Sequence, residues 1–257
     1  MTDEDLKFPM RINKYMAHKG FSTRTGADAL IEKGRVTING RVAKLGEKIL
    51  ETDVIEVASK NNKNKKNNES EAEPELIYLA YNKPKGEETP IRNSLANSNG
   101  ASRPMLAGER PRVSLDVFPV GRLDKDSSGL LILTNDGRIT DRLLNPKNVH
   151  DKEYEVEVDK KVTDFFLRTM EHGVDIEGYK TKPCQTRKID DHKFRITLTE
   201  GKKHQIRRMC VALGFQVKEL KRVRILNICL DNLPVRNTRF IDGKTREEFL
   251  VKLGLIV

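Results

Sequence analysis

A polar, low-complexity segment divides this chain of 257 residues into two parts of unequal size. Residues 58–75, ASKNNKNKKNNESEAEPE, contain no periodic apolar positions, so they cannot contribute to a hydrophobic core. We therefore predict a flexible, solvated linker at 59–75. It follows a tail (1–9) and a small module (10–58), and it precedes a larger domain (76–257).

The charge of the chain restricts its partners. Lys and Arg number 48 against 38 Asp and Glu, which gives a net charge of +10. This excess indicates a polyanionic partner, either nucleic acid or an anionic membrane surface. No apolar run approaches the roughly 18 residues of a spanning helix, and the acidic start MTDEDLKF is not typical of a targeting signal. We expect a cytoplasmic protein without a membrane partner. The scattered cysteines and histidines predict no metal site.

The sequence of the small module predicts two helices followed by a β-hairpin. Apolar residues at helical spacing predict two helices, with Ser22 as the N-cap of the second. The Asn39-Gly40 pair in RVTINGRVAK predicts a β-hairpin. A helical pair with a basic face suits the backbone of folded RNA, although scattered Lys and Arg are also typical of an ordinary solvated surface. The basic residues are Arg11, Lys14, Arg24, Lys33, Arg35 and Arg41.

In the larger domain, the stretch VFPVGRLDKDSSGLLILTNDG predicts two strands joined by a short polar loop. Asp124 lies in that loop, between Arg122 and Lys125. Loops of this kind often carry catalytic groups. Two alternatives remain open: Asp124 is a turn residue that caps its own backbone, or Asp126 is the functional acid.

Two further segments carry candidate site residues. DKEYEVEVDK predicts a strand with Tyr154 on one face and three glutamates on the other, where Tyr154 could equally be a core aromatic. EGKKHQIRRMCVALG predicts a helix within a block of eight Lys/Arg and one acid between Gly201 and Arg224. Arg207 lies beside the apolar stripe of that helix. Two interpretations are possible. If the guanidinium of Arg207 turns inward, it needs a carboxylate partner, whereas on an ordinary solvated basic helix it needs none.

These segments, together with YLAYNKPKG, resemble the catalytic motifs of the RsuA/RluB/RluF-type pseudouridine synthases, and are most similar to the RluF branch. The small module resembles the RNA-binding module named after ribosomal protein S-four. The resemblance implies an α+β protein. It implies a small, mainly helical RNA-binding module and a catalytic domain with a mixed, largely antiparallel sheet flanked by helices. Two differences from the family are the segment EETPIRNSLANSNGASRPML after NKPKG, and Lys203-His204 where arginine is more usual.

The resemblance also implies a function. The chain would be a monomeric enzyme that isomerises a specific uridine to pseudouridine in ribosomal RNA, with large-subunit RNA favoured and transfer RNA as a further candidate. It would need no cofactor and no metal. Asp124 would be the reacting carboxylate, Arg207 its partner, Tyr154 the residue packed against uracil, and Arg122 the residue that fills the gap left by the flipped base. Further RNA contacts would come from the basic residues of the small module and from Lys83, Lys203, His204, Gln205 and Arg208.

Two other classes of function are weighed against this one. A non-catalytic RNA-binding ribosome-assembly factor on the same fold would share the basic surface, but it would not require Asp124, Tyr154 and Arg207 together. A hydrolase that uses Asp124 and Asp126 as paired carboxylates is the weaker alternative. Their spacing gives no reason for both to converge on one substrate atom.

Overall fold

The computed structural model describes residues 8–19, 21, 24–58, 76–89, 117–145 and 148–256. The linker predicted at 59–75, the Ser22 cap and residues 90–116 lie outside the described residues. The chain divides into two compact units. The N-terminal unit comprises residues up to 76 together with 135–141, and the C-terminal unit comprises residues 77–134 and 142 onward.

The N-terminal unit combines two short helices with five short strands. Its elements are β1 (Met10–Arg11), α1 (Ile12–His18), α2 (Arg24–Glu32), β2 (Val36–Ile38), β3 (Arg41–Val42), β4 (Lys48–Ile49) and β5 (Ile55–Val57). The prediction of a mainly helical module is therefore not confirmed. Strands of two or three residues are too short to show the alternation of apolar and polar residues that identifies a strand in sequence.

The predicted hairpin is present, and it joins β2 to β3. Asn39 and Gly40 both have positive φ, 50° and 78°, as a two-residue hairpin turn of the favoured hand requires. Strand β5 pairs with the other edge of β2, so β2 is central in a three-stranded sheet. Val36 and Ile38 of β2 are buried in one apolar cluster with Ile12, Met16 and Ile31 of the helices. Strands and helices therefore share the core of this unit.

The C-terminal unit is built on a sheet of nine strands. The strands of this part of the chain are β6 (Tyr78–Lys83), β7 (Phe118–Val120), β8 (Ser128–Thr134), β9 (Lys152–Val158), β10 (Asp175–Ile176), β11 (Tyr179–Lys180), β12 (Gln185–Lys188), β13 (Lys193–Leu198), β14 (Val217–Ile225), β15 (Ile228–Cys229) and β16 (Thr238–Phe240). The helices after residue 76 are α3 (Arg138–Leu144), α4 (Asp164–Glu171), α5 (Gln205–Ala212) and α6 (Gly243–Lys252), and the first four residues of α3 belong to the N-terminal unit. The order in the sheet is β12-β13-β9-β14-β8-β6-β16, with β15 beside β14 and β7 beside β8.

The sheet is mixed. Among the strand pairs of the described residues, β14 and β8 run parallel, and the other pairs in this sheet are antiparallel. The expected α+β class and the mixed sheet are thus confirmed. In the part of the chain that the structure describes, no helix is long and apolar enough to cross a membrane.

Gly129 allows the parallel pair to form. It lies opposite Arg222 in the register of β8 and β14, and its φ is +104°. A Cβ at this position would stand 2.2 Å from the carbonyl oxygen of Arg222. No side chain fits between the two strands here, so the glycine of the segment DSSG is required by the packing.

The main core of this unit lies between the sheet and two helices. Phe166 and Met170 of α4 and Ile206 and Met209 of α5 pack in one cluster with buried residues of β9, β13 and β14. The predicted apolar stripe of the 205–212 helix is therefore a core face. The helix places its basic residues beside that core, next to the loop that carries Asp124.

Candidate active site

The loop 121–127 carries Asp124 between β7 and β8, as the alternation of apolar and polar segments predicts. The backbone folds into a turn in which the Ser127 amide donates to the carbonyl oxygen of Asp124 at 3.0 Å. The side chain of Asp124 is 42% exposed. The carboxylate is therefore available to a ligand and is not buried in an internal ion pair.

Three neighbouring segments fix the backbone of this loop. The Thr89 hydroxyl donates to the carbonyl oxygen of Leu123 at 2.8 Å and accepts from the Leu123 amide at 3.0 Å. The amide of Gly86 donates to the carbonyl oxygen of Lys125 at 2.8 Å. Nη2 of Arg207 donates to the carbonyl oxygen of Asp126 at 2.8 Å. The residues on both sides of Asp124 are thus anchored, which restricts where its carboxylate can lie.

Arg207 does not form the predicted ion pair. Within the described residues, no carboxylate–guanidinium contact joins it to Asp124. Its two terminal nitrogens donate instead to the backbone carbonyls of Asp126 and Val217. The guanidinium fork is occupied by these two oxygens, so Arg207 acts on the backbone beside the acid and not on the acid itself.

The residue at the N-cap of α5, His204, lies close to Asp124. Nε2 of His204 lies 3.6 Å from Oδ1 of Asp124, a charge pair only when the imidazole is protonated. His204 has a left-handed backbone (φ 52°) at the N-cap of α5, and its side chain makes no capping hydrogen bond to the helix. The sequence predicted His204 as an RNA contact; its position makes it also a neighbour of the acid.

A cavity of about 550 Å³ opens beside the loop. Asp124, Arg122 and Tyr154 all line it, and Tyr154 packs at the edge of the main core. Lys203 and His204 contribute to the same wall. The structure therefore brings two of the three predicted catalytic residues to one cavity, and it places the third, Arg207, behind the loop.

Two of the residues predicted to contact RNA have interior side chains. Lys83 is completely buried, and its Nζ donates to the carbonyl oxygens of Pro84 (2.9 Å) and Glu87 (2.5 Å). Burial lowers the pKa of Lys83, and the carboxylates of Glu87, Asp124 and Asp126 oppose that shift. The ammonium group of Lys83 is thus engaged by backbone carbonyl oxygens of the segment that follows β6.

Gln205 is the second of these. Its side chain is buried, its Oε1 accepts from the Lys202 amide at 2.9 Å, and its Nε2 donates to Glu200 at 2.8 Å. Glu200 also accepts from the hydroxyl of Tyr179 at 2.6 Å. Burial acts to raise the pKa of Glu200, but these hydrogen bonds outweigh it and leave the pKa lowered. Gln205 therefore helps to build the rim of the cavity.

The remaining basic residues fall into two groups. Arg208 pairs with Glu177 at 2.8 Å, Arg41 pairs with Glu47, and Arg35 donates to the carbonyl oxygen of Ala58. By contrast, a second set has exposed side chains that make no hydrogen bond or ion pair within the described residues. That set is Arg11, Lys14, Arg24 and Lys33, all in the N-terminal unit.

Several cavity residues were not singled out from the sequence. Lys152, Ser127 and Arg222 line the cavity, and Thr89 holds the loop from the segment that differs from the family pattern. For Arg222 a signal was present. It falls two residues after buried Leu220, on the core-facing side of β14, where a charge is unexpected. For Thr89 nothing local marks the role, because its partner Leu123 is distant in sequence.

The chemistry of this cavity rests on its acid and on its cations. Burial raises the pKa of Cys184 and of Cys210 to about 12, so neither thiol supplies a nucleophile near neutral pH. Asp124 is the exposed acid of the cavity wall, and it faces basic residues and a tyrosine ring. A carboxylate that is presented in this way can attack an electrophilic carbon or assist the departure of a leaving group.

Comparisons with known proteins agree with this arrangement. The RNA pseudouridylate synthase family matches residues 77–212, and the S4 domain family matches residues 10–55. The chain is 40% identical to the dual-specificity RNA pseudouridine synthase RluF of Escherichia coli O6:H1, over 90% of this chain and 74% of that protein. It is 34% identical to the ribosomal large subunit pseudouridine synthase B of Bacillus subtilis, over 82% of this chain and 84% of that protein.

A solved structure supports the same assignment. The crystal structure of a pseudouridylate synthase superimposes with a TM-score of 0.61 at 27% identity, and the match covers 95% of this chain and 99% of that one. The resemblance seen in the motifs is thus confirmed across both units. With its mixed sheet, its exposed Asp124 in the GRLD loop and its S4 domain, this chain belongs to the RNA pseudouridylate synthase family, in the group of RsuA, RluB and RluF, and is an enzyme that forms pseudouridine.

Proposed function

We propose that this enzyme modifies a specific uridine of ribosomal RNA, in the large subunit, and that Asp124 is the carboxylate that carries the reaction. Asp124 in the wall of a cavity, beside Tyr154 and a basic rim, is the observation that carries this proposal. The names of two relatives support the choice of RNA: one is a ribosomal large subunit pseudouridine synthase, and the other is a dual-specificity RNA pseudouridine synthase.

Asp124 has one task in the proposed mechanism. Uracil must leave C1′ of its ribose, turn, and rejoin C1′ through C5. The carboxylate either attacks C1′ or assists departure of the base, and both routes require it to be ionised and accessible. The anchored loop supports this role because a fixed nucleophile needs little reorganisation to reach its carbon. Arg207 is a positioning residue here, since it holds the carbonyl of Asp126.

Tyr154 and Arg122 would handle the nucleotide. A uridine in a folded RNA must be flipped out to enter the cavity, which costs a few kcal/mol of stacking. The ring of Tyr154 offers a surface on which uracil can stack, and its hydroxyl could remove a ribose proton. Arg122 is exposed at the cavity edge, so it could occupy the place of the flipped base.

The N-terminal unit would supply affinity for the RNA backbone. The exposed side chains of four basic residues, Arg11, Lys14, Arg24 and Lys33, make no hydrogen bond or ion pair with other described residues. Unpaired cations of this kind are suited to phosphates, because contact with RNA releases counterions and breaks no protein ion pair.

The test uses purified protein and ribosomal RNA transcribed without pseudouridine. Pseudouridine is mapped by carbodiimide labelling and primer extension, with transfer RNA and ribosomal particles as parallel substrates. We expect one or few new stops in large-subunit RNA with the wild type and none with Asp124→Asn. The matched control Asp126→Asn, two residues away, should retain the stops.

Each part of the proposal can fail separately. Full activity of Asp124→Asn would overturn the assignment of the acid. Stops confined to small-subunit RNA or transfer RNA would overturn the choice of substrate. RNA binding with no pseudouridine in any substrate would favour a non-catalytic ribosome-assembly factor.

A further inference from the structure

Arg222 is a buried cation whose charge has no partner among the residues that the structure describes. It is 4% exposed, and its Nε donates to the carbonyl oxygen of Leu130 at 2.8 Å. Its Nη2 is buried and has no hydrogen-bond partner among the described residues. No carboxylate within that part of the chain forms an ion pair with it. A guanidinium stays charged in any protein environment, so its burial without an anion is costly.

The position of Arg222 explains how this charge can be used. It lies directly opposite Tyr154 in the antiparallel pairing of β14 with β9, so the two side chains leave the same face of the sheet. Both residues line the cavity that Asp124 also lines. Uracil stacked on Tyr154 would therefore lie beside the free edge of Arg222.

Two further observations mark this wall of the cavity as a place for a ligand. Ser127, in the Asp124 loop, is 2% exposed, and its Oγ also has no partner among the described residues. Lys152 lines the same cavity. Burial and the positive charge of Arg222 lower the pKa of Lys152, and the carboxylate of Asp151 opposes that shift, so Lys152 and Arg222 are two cations close enough to repel each other. Buried polar groups are nearly always satisfied, and an exception requires an explanation.

We propose that Arg222 is a catalytic residue that stabilises the uracil anion released when the bond between C1′ and N1 breaks. This inference rests on the proposed function and adds a residue to it. When the bond breaks, its electron pair stays on N1, and the negative charge spreads over N1, O2 and O4. Asp124 compensates the positive charge that develops at C1′, either by attacking that carbon or by assisting departure of the base. If a bond from Asp124 to C1′ has formed, it breaks again when C5 joins C1′. Rejoining uses the electrons of the ring at C5, and the proton lost from C5 balances the proton gained at N1.

A purely structural role for Arg222 would use only the Nε–H donor of its guanidinium group. The bond from Nε to Leu130 joins β14 to β8, and this staple needs one of the five N–H donors of arginine. It does not require the four donors on the two terminal nitrogens, which no hydrogen bond engages within the described residues. A donor fixed where negative charge develops is worth about 10²–10³ in rate.

The experiment compares three variants of the full chain in single-turnover reactions with the RNA site mapped above. Arg222→Gln removes the charge, Arg222→Lys keeps a charge but loses the planar fork, and Arg224→Gln is the matched control. Arg224 is on the same strand, outside the cavity lining, and pairs with Glu153 at 2.9 Å and Asp151 at 2.5 Å. We expect about 10²–10³-fold slower turnover for Arg222→Gln, a smaller loss for Arg222→Lys, and a few-fold loss or less for Arg224→Gln.

A second substrate separates stabilisation of the anion from support of the fold. RNA with 5-fluorouridine at the target carries a base whose anion is stabilised by fluorine, so its departure needs less help. Loss of the 5-fluorouridine nucleoside is followed by digestion and chromatography. The ratio of wild-type to Arg222→Gln rates should be about tenfold smaller for 5-fluorouridine than for uridine.

The outcomes are distinguishable. Equal ratios for the two bases, or equal losses for Arg222→Lys and Arg222→Gln, would leave Arg222 as a structural staple and overturn the proposal. An Arg222→Gln rate within twofold of the wild type would also overturn it. Failure of the wild type to form pseudouridine would refute the proposed function instead.

Discussion

The two faces of strands β9 and β14 differ in whether their charged side chains form ion pairs. On the outer face, Glu155 pairs with Arg195 at 2.6 Å, and Glu153 pairs with Arg224 at 2.9 Å. On the cavity face, Arg222 and Lys152 come from the same two strands, and neither meets a carboxylate partner among the described residues. On β9 the alternation of side chains separates these two environments by a single residue. On β14 the register shift between Arg222 and Arg224 lets two arginines that are two residues apart reach different environments.

This contrast indicates where function lies in the sheet. Paired charges satisfy each other, and at a partly exposed surface such pairs contribute little to stability. Unpaired charges in a cavity wall cost stability unless a ligand completes them. The cavity face therefore carries a cost that substrate binding offsets, whereas the outer face is complete without a ligand.

The largest effect is expected from a substitution that separates β8 from β14, because this pairing holds both faces of β14 in place. Gly129→Ala would place a Cβ 2.2 Å from the carbonyl oxygen of Arg222 at a φ of +104°. We expect the free energy of unfolding to fall by about 3 kcal/mol, from clash and backbone strain together. Urea denaturation followed by circular dichroism measures this. The control Gly178→Ala has a φ of +79° but open space around the Cβ, and should lose about 1 kcal/mol. Equal losses would show that the approach of β8 to β14 is not the constraint.

An intermediate effect extends the contrast to the N-terminal unit. Arg24 is exposed and makes no ion pair within the described residues, whereas Arg41 pairs with Glu47. Arg24→Ala should weaken RNA binding and reduce the slope of log K against log salt by about 0.7–0.9, because one phosphate contact is lost. Arg41→Ala should change that slope less. Titration of the RNA at several salt concentrations measures both, and a larger change for Arg41→Ala would contradict the distinction between paired and unpaired cations.

The smallest effect is expected on the outer face. Glu155→Gln removes the charge that Arg195 contacts, and both side chains are about one-third exposed. We expect a loss of less than about 1 kcal/mol in unfolding free energy, smaller still at high salt, and unchanged pseudouridine formation. Denaturation at two salt concentrations and the primer-extension assay check this. A marked loss of activity would mean that the outer ion pairs also shape the cavity.

The fold followed from sequence where periodicity was strong. The buried strand GLLILT, the alternating strand KEYEVEV and the core stripe of α5 all appear where the pattern placed them. The short strands β4 and β5 did not, because two or three residues cannot display a period. Lys83 and Gln205 were predicted as RNA contacts from the resemblance of their motifs. Only the packing around them shows that their donors are engaged by Pro84, Glu87 and Glu200 inside the protein.

The sequence by itself determined the class of fold, the loop that carries Asp124 and the strand that carries Tyr154, because these depend on local alternation of apolar and polar residues. Tertiary structure decided which charges meet. It turned Arg207 onto the carbonyl of Asp126 and left Arg222 without an anion opposite Tyr154. Ion pairing depends on distances between strands and helices that are remote in sequence, and no local pattern specifies those distances.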